Sequence, residues 1–126
     1  MKLLLVDDEP YTREGILSII AFDKLGIDEV FSAEDGLSGL AMAKEYQPDI
    51  ILTGGWGLVS NILHDEIFAD DAEWIRAHEE IALWYYKSSL VCTGKETLVV
   101  SMPHPNRAAK NWTLELEKVL RATGRL

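Results

Sequence analysis

An α/β sandwich with a parallel sheet is the fold class the sequence predicts, and three observations carry it. Short apolar runs of four or five residues recur at Leu3–Val6, Val30–Ala33, Ile50–Thr53 and Leu98–Ser101. Such runs suit strands buried on both faces. Segments with helical apolar spacing separate them, and alternation of this kind implies right-handed crossovers between parallel strands. The chain has 126 residues, 48% hydrophobic and 26% charged, enough for one domain with a real core.

In order, Lys2-Leu3-Leu4-Leu5-Val6 is the first strand, ending in Asp7-Asp8-Glu9-Pro10. Pro10 and Thr12 suit a helix start, and Ile16, Leu17, Ile19 and Ile20 supply its core-facing stripe. Gly26 marks the return. Glu29 to Ala33 reads as the second strand. Ala33-Glu34-Asp35-Gly36 opens a helix with Leu37, Leu40, Ala41 and Ala43 on its apolar side, which Tyr46-Gln47-Pro48 stops. Asp49 to Thr53 is the third strand. Leu58, Val59, Ile62, Leu63 and Ile67 then recur at helical spacing. Asp70 or Asp71 can cap a further helix lined by Trp74, Ile75, His78, Ile81, Ala82 and Tyr85, running to about Ser88. Gly94 punctuates, and Thr97 to Ser101 is the fourth strand. Met102-Pro103-His104-Pro105-Asn106 forms a stiff loop, because its two prolines fix φ. Residues 107–122 make the last helix, with Trp112, Leu116, Val119 and Leu120 inward. The expected sheet order is 2-1-3-4. Its edge beyond the fourth strand is open, so a second copy can pair there to form a homodimer.

Bulk properties narrow the function classes. The net charge is −9, and an acidic surface repels phosphate backbones, so no nucleic-acid partner is expected. No apolar run approaches the roughly 20 residues of a membrane span, and no signal peptide is evident. The single cysteine, Cys92, rules out an internal disulfide and suits a reducing, cytoplasmic setting. Cys92, His64 and His78 lack ligand-like spacing for zinc. The Trp74, Trp84 and Tyr85 set reads as core.

Residues 1–53 resemble the receiver domain of bacterial response regulators, particularly those with AraC-type outputs. The resemblance is carried by Leu3-Leu4-Leu5-Val6-Asp7-Asp8-Glu9-Pro10, Arg13-Glu14-Gly15, Ala33-Glu34-Asp35-Gly36 and Pro48-Asp49-Ile50-Ile51-Leu52-Thr53. It implies a flavodoxin-like fold. It also implies a mechanism in which two acids after the first strand hold Mg²⁺ and an aspartate after the third accepts a phosphoryl group from a histidine kinase. A Ser or Thr after the fourth strand and a Lys after the fifth bind the phosphoryl oxygens. Carried over by position, Asp7 and Asp8 match the metal-binding acids, with residual Mg²⁺ binding as the expectation. The phosphoacceptor slot holds Gly54, which has no nucleophile. Ser101 stands in for the Ser/Thr position, and no strand ending in Lys-Pro follows. No phosphotransfer from a histidine kinase is expected.

The pattern stops at Thr53. Residues 1–53 hold 11 acids against 4 bases, and all four tryptophans, Trp56, Trp74, Trp84 and Trp112, lie beyond. From the sequence alone, a single domain over 1–126 assembled from two pieces, 1–53 and 54–126, accounts for this change. Such a chimera would be a designed protein with no evolved activity, and not an enzyme. The strand followed by His104-Pro105 is similar to the last motif of the uracil-DNA glycosylase superfamily, which makes a remnant of such an enzyme one alternative. The other is a natural pseudo-receiver that signals by binding a partner without phosphorylation. The loop Gly54-Gly55-Trp56-Gly57 reads as a tight turn rather than a phosphate cradle, since it lacks the P-loop lysine.

Overall fold

The computed structural model describes residues 1–53, 75–78, 83–89, 96–101 and 112–126, with side chains described over 1–53, 97–100 and 112–126. Among the described residues ten elements follow one another: β1 (Lys2–Val6), α1 (Pro10–Ile19), a 3₁₀ turn (Phe22–Leu25), β2 (Glu29–Ala33), α2 (Gly36–Tyr46), β3 (Ile50–Thr53), β4 (Ile75–His78), β5 (Leu83–Ser89), β6 (Glu96–Ser101) and α3 (Trp112–Ala122). They build one six-stranded sheet in the order β2-β1-β3-β6-β5-β4. The four strands expected from the sequence are β1, β2, β3 and β6. They pair in parallel in the expected order 2-1-3-4, as in a flavodoxin-like receiver.

The strands alternate strictly between two cores, as a side-chain period of two requires. Leu3, Leu5, Ile50, Leu52, Leu98 and Val100 face Ile16, Ile20, Leu25 and the α3 residues Trp112, Leu116, Val119 and Leu120. Leu4, Val6, Ile51 and Val99 face Ala33 and Ala43 on the other side. α1 and α3 therefore cover one face and α2 the other. α2 lies close to the sheet because Gly39 has no side chain: a Cβ there would stand 3.0 Å from Val6 Cγ2 and 3.2 Å from Cγ1. Left-handed residues close two of the turns, Gly26 at φ 73° after the 3₁₀ turn and Gln47 at φ 49° after α2. Phe31 of β2 stacks on Tyr46 at the end of α2, with ring centroids 4.2 Å apart.

Residues 75–78 and 83–89 correct the expected helix over 71–88: they are strands. β5 runs antiparallel to β6, with Tyr85 opposite Val100 and Tyr86 opposite Val99, and β4 pairs antiparallel with β5 across an irregularity between Arg76 and His78. Leu83-Trp84-Tyr85-Tyr86 is an aromatic run that favours a strand once a partner edge is available. The edge beyond β6 is thus paired, and the homodimer expected through it loses its free surface; among the described residues the outer strands are β2 and β4. The helical stripes also need adjustment. Ile19 is 52% and Leu37 66% exposed, while Ile16, Ile20 and Ala43 are buried. The expected helix around Leu58–Ile67, the Gly54–Gly57 turn, the punctuation at Gly94 and the loop containing His104 lie outside the described residues, as do Trp74, Cys92 and His64. Among the described residues no helix is long and apolar enough to cross a membrane.

Candidate functional site

The carboxyl end of a parallel sheet is where α/β folds place their sites. Here one row closes that end: Ala33 of β2, Val6 of β1, Thr53 of β3 and Ser101 of β6 are in register. One residue further along the sequence stand Glu34, Asp7, Gly54 and Met102. The alignment sets the end of β1, which Asp7 follows, beside the end of β3 at Thr53. Ser101 lies on the far side of β3 from β1. Its side chain, like Gly54 and His104, is outside the described residues.

Asp7 is buried, with 4% exposure. Its backbone N–H extends the ladder to the Ala33 carbonyl at 3.1 Å. Its Oδ1 accepts the Glu9 N–H at 2.9 Å. Burial holds the Asp7 carboxyl above its ordinary value, only partly opposed by the Glu9 hydrogen bond. The neighbouring Asp8 and Glu9 push it further up, and Arg13 pulls it down. Asp8 is exposed. Glu9 belongs to the helix rather than to a metal set: it is the N-cap of α1, and its Oε2 accepts from the Thr12 N–H at 2.6 Å. That bond holds the Glu9 carboxyl below its ordinary value. Asp35 does the same for α2 through the Ser38 N–H at 2.7 Å.

Two residues were not legible as parts of this end. Arg13 places Nη1 2.8 Å from the Asp7 carbonyl oxygen, which pins the start of α1 to the end of β1. Thr53 is fully buried, and its hydroxyl donates to the Val100 carbonyl at 3.4 Å. A polar residue at the last position of an otherwise apolar strand was the available signal for Thr53. For Arg13 it was the spacing of six residues from Asp7. Among the described residues no three His, Cys, Asp or Glu side chains converge as a metal site would require.

The raised value at Asp7 fixes a pH dependence. The folded state binds this proton more readily than the unfolded chain, so stability falls as pH rises from the ordinary 3.8 through the folded value. Asp7→Asn removes the buried charge and keeps an acceptor for the Glu9 N–H. Its melting temperature at neutral pH is expected to exceed that of the parent by a few degrees, the difference closing below about pH 3.8. Paired thermal melts across pH check this.

No family profile matches the chain. Among curated proteins it is 27% identical over 89 residues to the transcriptional regulatory protein HptR of Staphylococcus aureus strain NCTC 8325, covering 60% of this chain and 35% of that protein. It is 29% identical over 52 residues to the uncharacterized response regulatory protein SERP2406 of Staphylococcus epidermidis, covering 41% of this chain and 21% of the relative. The chain thus matches about a third or less of the length of these relatives. A solved structure of a two component transcriptional regulator AraC from Clostridium phytofermentans aligns with 32% identity over 51% of this chain and 55% of that one. Its TM-score is 0.45, so the fold assignment rests on the sheet itself.

These relatives overturn the reading of a designed chimera without evolved activity. They are natural regulatory proteins, and an alignment that takes in 60% of the chain must pass Thr53, since residues 1–53 are only 53 of 126. The glycosylase likeness of the His104 loop finds no support among them. Nor does the exclusion of nucleic acid, since HptR is named a transcriptional regulator. Both curated names are those of regulatory proteins rather than enzymes. The N-terminal half of this chain is response-regulator receiver-like.

Proposed function

We propose that the chain is a natural pseudo-receiver, which acts in signal transduction by binding a partner and does not accept a phosphoryl group. The observation that carries this reading is the residue after β3. Phosphoryl transfer of the receiver type needs a carboxylate at that position, and Gly54 offers no side chain. The next aspartate in the sequence is Asp65. Several side chains of that end are tied into the fold: Asp7 to the Glu9 N–H, Glu9 to Thr12, Arg13 to the Asp7 carbonyl. A partner would read this fixed surface.

Asp7 and Asp8 fit a hard cation only in part. Mg²⁺ commonly takes one or two carboxylates and completes its shell with water, but one Asp7 oxygen is committed to Glu9 and Glu9 itself to the helix cap. Millimolar-class binding is the order of magnitude that such an incomplete oxygen set supports.

Amide NMR with Mg²⁺, then with added beryllofluoride as a mimic of a carboxylate-bound phosphoryl group, tests both statements. Mg²⁺ alone should shift the Asp7 and Asp8 amides at millimolar concentration, and beryllofluoride should add nothing. Saturable further shifts at Thr53 and in β6 would refute the phosphorylation-independent reading.

A further inference from the structure

A groove of about 310 Å³ opens between the start of α1 and the start of α2, over the end of β2. Arg13, Ser32, Ala33, Glu34, Ser38 and Met42 line it. It lies apart from the end of β3, since β2 is on the opposite side of β1 from β3. The lining is chemically asymmetric. The Arg13 guanidinium carries five N–H donors, of which Nη1 supplies one to the Asp7 carbonyl. That bond fixes the side chain without exhausting it. Glu34 brings a carboxylate to the same groove. Ser32 adds a hydroxyl that can donate or accept, the Ser38 hydroxyl is held by the Asp35 carboxylate, and Ala33 and Met42 provide apolar wall.

We propose that this groove binds a small zwitterion of the α-amino-acid class. A guanidinium takes a carboxylate through paired N–H donors, and a carboxylate takes an ammonium group. A ligand with both charges satisfies both at once, whereas a simple anion would meet Glu34 and a simple cation would meet Arg13. Met42 and Ala33 favour an apolar side chain on the ligand. The volume is at the lower end of small-molecule sites, which suits a ligand of about ten non-hydrogen atoms. This inference stands independently of whether the chain accepts a phosphoryl group.

The test is an amide NMR titration of the full chain with L-leucine, with acetate and methylammonium as single-charge controls. L-leucine should shift Ser32, Ala33, Glu34 and Ser38 saturably, and each control should bind at least about tenfold more weakly, the loss of one charge-assisted hydrogen bond. Glu34→Gln should weaken L-leucine about tenfold and leave acetate unchanged or tighter. Arg13→Gln should abolish the acetate response. Should Arg13→Gln fail to fold, Glu34→Gln decides alone. Absence of saturable shifts with L-leucine up to about 50 mM, or equal shifts with the two controls, overturns the proposal.

Discussion

Gly39→Val is expected to destabilise the protein by about 3 kcal/mol, at the upper end of what overpacking costs. The reason is local and geometric. Even the first carbon of a side chain at Gly39 would lie 3.0 and 3.2 Å from the two Val6 methyl carbons. Val6 cannot yield easily, because it is fully buried on β1 between β2 and β3. Valine adds two methyl groups to that contact and carries its own χ1 restriction in a helix. Gly39→Ala separates the two effects. Its single methyl requires a shift of a few tenths of an ångström, offset by the roughly 1 kcal/mol by which alanine exceeds glycine in a helix. The alanine variant should therefore unfold within about 1 kcal/mol of the parent in urea. A valine variant as stable as the alanine variant would show that α2 does not pack on β1 as closely as described.

Leu52→Ala has the second large effect, a loss of about 2–5 kcal/mol. Leu52 is fully buried in β3 and belongs to the larger of the two cores, between the sheet and the α1–α3 layer. Strands flank it on both sides, so the backbone has little freedom to close the cavity. Against a total stability on the order of 5–15 kcal/mol the loss is severe. Chemical denaturation measures it directly, and a loss under about 1 kcal/mol would mean that this face of the sheet is not packed.

Much of the architecture could be read from the sequence because its determinants are local. Leu3 to Val6, Ile50 to Leu52 and Leu98 to Val100 are continuous apolar runs with no competing periodicity, and each lies in a central parallel strand. Asp35 announces α2, and Gly26 the return after α1, through chemistry that acts over one or two residues. The strands at 75–78 and 83–89 are not legible locally, because the helical spacing of Ile75, His78, Ile81, Ala82 and Tyr85 in the sequence does not exclude strands. What decides between them is the free edge of β6, which lies far away in sequence. The exposure of Ile19 and Leu37 has a similar origin: both fall near helix ends, where an apolar residue can point past the core.

At the candidate site the residue types were evident and their employment was not. Asp7, Asp8 and Glu9 form a run of three acids, yet Glu9 caps a helix and only Asp7 is buried. A linear sequence cannot distinguish a capping carboxylate from a metal ligand when both follow the same strand. The absence of a nucleophile at Gly54 was legible, because it depends on one position counted from the end of β3. Its meaning was not. The loss of receiver motifs beyond Thr53 looked like a change of parent, whereas the relatedness to natural regulators continues past that residue.

On the proposed reading, this receiver-like fold does not take up a phosphoryl group. The most direct measurement is intact-protein mass spectrometry after incubation with acetyl phosphate and Mg²⁺, with a phosphorylatable receiver as positive control. The mass of this chain is expected to stay unchanged under conditions that modify the control. A phosphoryl adduct that forms in proportion to acetyl phosphate and maps to a carboxylate of this chain would contradict it.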